Sequence, residues 1–232
     1  MTLGEVINKF NVGSYIFLGL FLLFSIVQLV LAFLEKEELR QKEKPFCLLS
    51  LSCFALFTLV DHPLIYVGAF LGMLGDIFVV IKNKKYFNFG VLCFLLGHIC
   101  YAVEALLFLN NKTFEWFEYL ILLLSFAFVY VCLFAFTKKF AKKKTDVFGS
   151  GLYYGSLVAF LALMIILYIN NGLFLYLSII GLSFFVISDI IILYTKYIKK
   201  FKRNDFYIML TYLLAQFFLV MSLVLSVLGT LK

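Results

Sequence analysis

The chain has 232 residues, of which 64% are hydrophobic and 14% charged, with a net charge of +7 and a mean hydropathy of +1.06. Soluble domains run about 45–50% apolar and 25% charged, so this composition excludes an ordinary soluble enzyme and leaves an integral membrane protein with little mass outside the bilayer. The apolar segments are too many and too long for a signal peptide ahead of a soluble domain, and without strand periodicity helices must satisfy the backbone in lipid.

The basic residues fall at the edges of apolar segments rather than on one patch, which argues against a nucleic-acid partner. Five cysteines (Cys47, Cys53, Cys93, Cys100 and Cys132) are dispersed through apolar segments with no C-x-x-C. They read as small buried hydrophobes, not as a disulfide framework or a thiolate metal site.

A bilayer span needs about 20 apolar residues. In chain order the sequence predicts eight: Val12 to Leu34, Phe46 to Val60, Leu64 to Ile81, Tyr86 to Phe108, Phe117 to Thr137, Phe148 to Ile169, Gly172 to Thr195, and Phe206 to Leu231. The second is short. Asp61-His62-Pro63 separates spans two and three, because proline and its predecessor resist helix continuation. Asn170-Asn171-Gly172 separates six and seven. All but Lys9, Lys112 and Lys232 of the 20 lysines and arginines fall in the loops after spans one, three, five and seven. The positive-inside rule then places those four loops in the cytosol and both termini on the non-cytoplasmic side.

The chain is read as a single polytopic domain, 1–232, with a possible internal repeat. Leu71 to Ile81 (L-G-M-L-G-D-I-F-V-V-I) and Phe184 to Tyr194 (F-F-V-I-S-D-I-I-I-L-Y) each place Asp-Ile before an apolar turn and a lysine-rich loop. Spans one to four (12–108) and five to eight (117–231) would then be two parallel four-helix copies with a site between them.

The repeat points at two acids, Asp76 and Asp189, each about 9–11 Å inside the cytoplasmic end of its span at 1.5 Å per residue. Ionisable groups in hydrocarbon are costly and usually face the bundle interior at a functional site. Gly68, Gly72 and Gly75 share a helix face with Asp76, and Ser178, Gly181 and Ser188 lie near Asp189. Small residues let helices approach closely, so both acids should face neighbouring helices. His98 and Tyr101 share a face of span four; Tyr212 and Gln216 share a face of span eight.

Two carboxyl groups in one low-dielectric pocket do not both ionise easily, which leaves an acid beside a base. Hydrolysis through an oxocarbenium-like state needs that division. The bland alternative is that these groups are helix-packing hydrogen bonds. A metal on Asp76, His98 and Asp189 is a further alternative, although two histidines cannot build a three-histidine zinc site. Glu104 reads as interfacial, and Ser188, with no histidine base placed for it, reads as packing.

Four ordered motifs resemble the YhhN-like family, whose animal members are lysoplasmalogenases. They are G-x-x-G-D at Gly72, Gly75 and Asp76; G-H-x-x-Y at Gly97, His98 and Tyr101; F-x-x-S-D at Phe185, Ser188 and Asp189; and T-Y-x-x-A-Q at Thr211, Tyr212, Ala215 and Gln216. Lys44-Pro45 before span two also looks like the family's pattern.

The resemblance implies hydrolysis of the sn-1 vinyl ether of lysoplasmenyl-choline or -ethanolamine, without a cofactor, in a bacterial plasma membrane or endoplasmic reticulum. Asp76 and Asp189 are the expected catalytic pair. His98, Tyr101, Tyr212 and Gln216 are the expected supporting residues, and Lys44 or a neighbouring loop lysine the headgroup contact. The expected partners are a lysophospholipid substrate and membrane lipids. A proton-coupled transporter, with a polar path from His98 toward Glu104 and His62, is the alternative, as is a lipid-binding protein without hydrolase activity.

Overall fold

The computed structural model describes residues 3–81, 84–108, 114–140, 144–171 and 174–230. Among the expected loop and boundary residues, Lys82, Lys112, Lys142, Lys143, Gly172, Leu231 and Lys232 lie outside them. The described residues form nine helices and no strand. These are α1 (Leu3–Ile7), α2 (Val12–Phe33), α3 (Glu37–Thr58), α4 (Pro63–Val80), α5 (Lys84–Phe108), α6 (Trp116–Phe140), α7 (Lys144–Asn171), α8 (Tyr176–Tyr197) and α9 (Asn204–Thr230). Seven of them, α2 and α4 to α9, are long and apolar enough to cross a membrane. The chain is a multi-pass integral membrane protein.

Helix α3 departs from expectation. It starts at Glu37, nine residues before the apolar run that predicts span two, so Arg40, Lys42 and Lys44 are helical rather than in a loop. Its first two turns are charged, which is why composition alone does not mark it as a span. Pro45 lies inside this helix, where it removes the donor that would pair with the Gln41 carbonyl. One residue earlier, Gln28 Nε2 of α2 donates to the Arg40 carbonyl at 2.6 Å and braces the same turn.

Contacts at its two ends show that α3 runs the length of the bundle. At one end Arg40 pairs with Asp205 at 2.9 Å, beside the Phe33–Phe206 ring contact. At the other, Asn11 Nδ2 donates to the Phe57 carbonyl, and Thr58 Oγ1 donates to Ser14 Oγ at 2.8 Å. At that second end the short α1 packs on α9, and Lys9 Nζ donates to the Leu228 carbonyl at 2.9 Å. The two ends of the described chain therefore meet on one side of the bundle.

The principal packings are the hairpins α2–α3, α4–α5, α6–α7 and α8–α9, together with α3–α4. Helix α9 is the hub: it touches α1, α2, α3, α4, α5 and α8, while α6 packs chiefly on α7. Cys132, on α6, is exposed, against the expectation of burial, because only one face of α6 is covered; all five cysteines are free.

The α4–α5 hairpin is the closest approach near the candidate site. A Cβ on Gly97 would lie 2.9 Å from the Gly68 carbonyl oxygen, and a Cβ on Gly90 2.9 Å from that of Gly75. The two pairs are seven residues apart on each antiparallel strand of the hairpin. They bring backbone against backbone where any side chain would wedge the helices open, and so set the depth of Asp76, the residue after Gly75. Gly90→Val should lower the stability of the detergent-solubilised protein by about 1–3 kcal/mol. Gly19→Val, where a Cβ meets nothing within 4 Å, should leave its thermal unfolding midpoint unchanged.

Candidate functional site

Helix α4 carries Asp76 one turn before its end, about 6 Å by helical rise. The side chain is fully buried. In an apolar interior a carboxylate persists only if paired and hydrogen-bonded, and two helices supply the partners. Lys44 of α3 places Nζ 2.8 Å from Asp76 Oδ1. Tyr212 of α9 donates its hydroxyl to Oδ2 at 2.9 Å. The Lys44 ammonium also lies 5.0 Å from the centre of the Tyr212 ring, a cation–π distance that closes the group into a triangle. Lys44, expected at the headgroup from a loop, is instead a helical residue committed to Asp76.

Asp189 lies eight residues before the end of α8 and is likewise buried. Tyr153 of α7 faces it, and Tyr153 also lies near Tyr212. The two acids are thus linked through a pair of tyrosines from α7 and α9. No cation is paired with Asp189 among the described residues, and its Oδ2 has no hydrogen-bond partner. Ser188 donates to the Ile208 carbonyl at 3.2 Å, in keeping with packing rather than nucleophilic work.

Phe94, Phe185 and Tyr212 form an aromatic cluster beside the acids, with Phe185 and Phe94 rings 5.8 and 6.1 Å from Tyr212. His98 stands edge-on to Phe185 at 4.6 Å and is buried. Phe185 precedes Asp189 by one helical turn, so His98 lies deeper than the acid. Tyr101 packs on the bare backbone of Gly68. Gln216 places its amide near Gly72, where a Cβ would lie 3.8 Å from Nε2. His98 Nε2, Tyr101 Oη and Gln216 Oε1 are buried without protein hydrogen-bond partners. Such atoms are rare in folded proteins and mark places where water or a substrate atom completes the bonding.

The structure therefore brings Asp76, Lys44 and Tyr212 into direct contact and places Asp189 on the same polar network. His98, Tyr101 and Gln216 border that network without a hydrogen bond to either acid. Among the described residues no three His, Cys, Asp or Glu side chains gather as a metal site would require. Tyr153 stands in no motif that the spacing of acids and histidine singles out. Its signal is Gly151-x-x-x-Gly155, whose glycines seat α7 against the rings of Tyr130 and Phe126 on α6 and leave Tyr153 facing inward.

A profile of the YhhN family matches residues 25–223, which include every candidate residue above. The chain belongs to the YhhN family. No curated protein and no solved structure shows significant similarity to it. In this YhhN chain the four motifs anticipated from sequence lie on α4, α5, α8 and α9.

The ion pair is open to a double-mutant test. Lys44→Met removes the cation and leaves a buried carboxylate, so it should cost about 3–5 kcal/mol. Lys44→Met combined with Asp76→Asn should recover most of that loss, since the uncompensated charge is gone. Thermal or denaturant unfolding in detergent measures both; additive losses would show that the two groups do not depend on each other.

Proposed function

We propose that this protein is a lysoplasmalogenase-like hydrolase that cleaves the sn-1 vinyl ether of lysoplasmenyl-choline or -ethanolamine. The observation that carries the proposal is the unequal setting of two buried acids on one network. Asp76 is clamped by an ammonium and a phenol, whereas Asp189 faces a phenol and has an oxygen to spare. Unequal environments are how a pair of carboxyl groups divides acid from base. Family membership is consistent with the same chemistry.

On this proposal Asp189 carries the proton and Asp76 is the carboxylate. Asp189 delivers its proton to the vinyl carbon remote from oxygen. The π pair of the double bond forms the new C–H bond, and positive charge spreads over the adjacent carbon and the ether oxygen. Water adds to that carbon as its own proton passes to Asp76, giving a hemiacetal. Collapse breaks the bond from that carbon to the glyceryl oxygen, which takes the proton held by Asp76, while the hemiacetal O–H proton passes to Asp189 as the C=O forms and restores both acids. The products are a fatty aldehyde and a glycerophospho-alcohol, with one water consumed. Lys44 and Tyr212 hold Asp76 in place; His98, Tyr101 and Gln216 position water or the ether oxygen. The tail lies in hydrocarbon and the headgroup at the basic end of the bundle, which is the cytosolic end by the positive-inside rule.

A second function has one observation in its favour. His62 Nδ1 pairs with Glu104 Oε1 at 2.6 Å at the opposite end of the bundle, and Glu104, Tyr101 and His98 follow at three-residue steps along α5. A proton-coupled transporter could use that stripe. Between the pair and His98, however, Ile65 and Tyr101 are at most 1% exposed, and the Tyr101 hydroxyl has no hydrogen-bond partner.

Asp189→Asn and Asp76→Asn should each lower aldehyde release from a purified lysoplasmalogen by about 10²–10⁴-fold while the protein still inserts and elutes as a folded species. Activity must appear in detergent, without any ion gradient. Full activity in either variant would remove the two-acid mechanism, and activity that depends on a gradient would favour the transporter.

A further inference from the structure

The commitment of Lys44 to Asp76 leaves a headgroup without its expected cation, and a second feature of the basic end can supply one. A cleft of about 220 Å³ opens there between the α2–α3 turn and the α8–α9 turn, lined by Glu35, Glu37, Arg40, Arg203 and Asp205 among others. Arg40 and Asp205 form its inner wall as an ion pair. Arg203 has no ion pair among the described residues; its guanidinium carbon lies over the Phe33 ring, 3.7 Å from the centre, and the residue lines the cleft.

A further fact singles out this cleft. Glu35 and Arg203 are the two non-glycine residues in the left-handed region among the described residues, with φ of 56° and 58°. One lies on each side of the cleft. Such backbone is disfavoured for a side-chain-bearing residue, and it concentrates where chain geometry serves a ligand. Two long helices also begin here, α3 at Glu37 and α9 at Asn204. Their first turns already carry Glu37 and Glu38 on α3 and Asp205 on α9, so the arginines rather than the helix ends supply positive charge for a phosphate.

We propose that this cleft is the headgroup site for a zwitterionic phospholipid. Arg203 takes the phosphate, joined by Arg40 across its pair with Asp205, and Glu35 and Glu37 take the amine. The site rests on the hydrolase proposed above, whose substrate has both charges. It is also in register with it. Arg40 stands one turn before Lys44 on α3, and Asp205 seven residues before Tyr212 on α9, so the cleft lies about 6–10 Å from the Asp76 cluster along the helices. A glycerophosphate backbone spans an interval of that order.

Direct binding separates this site from the reaction. A fluorescent, ester-linked lysophosphatidylethanolamine lacks the vinyl ether and is to be titrated onto the whole protein in nanodiscs. Monoacylglycerol of the same chain, glycerophosphoethanolamine and inorganic phosphate are the comparisons. The headed lipid should bind at least tenfold more tightly than the headless one. Arg203→Gln should erase that advantage, leave monoacylglycerol binding unchanged, and raise KM for a lysoplasmalogen at least tenfold with kcat within threefold.

Wild-type affinity in Arg203→Gln would overturn the site. Displacement of the lipid by inorganic phosphate or glycerophosphoethanolamine at submillimolar concentration would overturn it in favour of a soluble phosphate ligand. Should Arg203→Gln not fold, Glu35→Gln decides. It should weaken the ethanolamine lipid while sparing lysophosphatidic acid, and an equal effect on both would overturn the amine assignment. Wild-type binding without aldehyde release would sink the hydrolase and leave the headgroup site standing.

Discussion

A buried lysine–aspartate contact fixes the rest of this bundle. In hydrocarbon neither Lys44 nor Asp76 can be left alone, because desolvating one unpaired charge costs more than most packing gains return. The pair therefore dictates that α3 and α4 keep one register. Tyr212 adds α9 to the same constraint by bonding the second carboxylate oxygen. Three helices from both halves of the chain are tied at one depth by one acid. Because α9 is also the helix that touches most of the others, a shift of Asp76 would be felt throughout the bundle.

That constraint explains the position of the glycines. Asp76 follows Gly75, whose carbonyl lies against Gly90, and Gly68 lies against Gly97 one heptad away. With a side chain at any of these positions α5 would stand off from α4, and Phe94 and His98 would leave the aromatic cluster beside Tyr212. The small residues near Asp189 serve the same end: a Cβ on Gly181 would meet the Ala215 carbonyl oxygen at 2.9 Å, so α8 seats directly on α9. Close packing here places polar side chains rather than merely filling volume.

Much of this was legible in the sequence because lipid simplifies the code. Apolar runs of span length can only be helices, and seven of the eight predicted spans coincide with helices to within a few residues at most ends. The exception, α3, shows where the code thins. Its charged first two turns look like loop when hydropathy is the only guide, and Pro45 looks like a boundary although the helix passes through it. The acids were visible because a charge inside an apolar run is conspicuous. Their partners were visible only in part: Tyr212, expected beside the acids, bonds Asp76, while the Lys44 and Tyr153 contacts were not anticipated. Lys44 reads as a loop residue at the headgroup until α3 is seen to carry it inward, and Tyr153 is one of 14 tyrosines whose inward facing depends on how α7 rotates against α6. Identity and depth can be read along one chain; pairing depends on the rotation of separate helices about their own axes.

The placement of the polar groups bears on what kind of chemistry the bundle suits. A carrier that moves a solute across the bilayer needs polar footing on both sides of the midplane and a connection between them. Here Asp76 and Asp189 lie within about two turns of the basic end, while Glu104, buried and paired with His62, lies at the opposite end. Along α5 between His98 and Glu104, Tyr101 packs on the Gly68 backbone and its hydroxyl has no hydrogen-bond partner, so no bonded chain joins the two ends among the described residues. An amphiphile held by its headgroup has no need of such a connection. Its scissile bond lies within one glycerol unit of the interface, and its tail can remain in lipid while a carboxyl group works at the boundary. For the hydrolysis proposed above, two acids buried near the basic end suit a substrate that is itself anchored at that end.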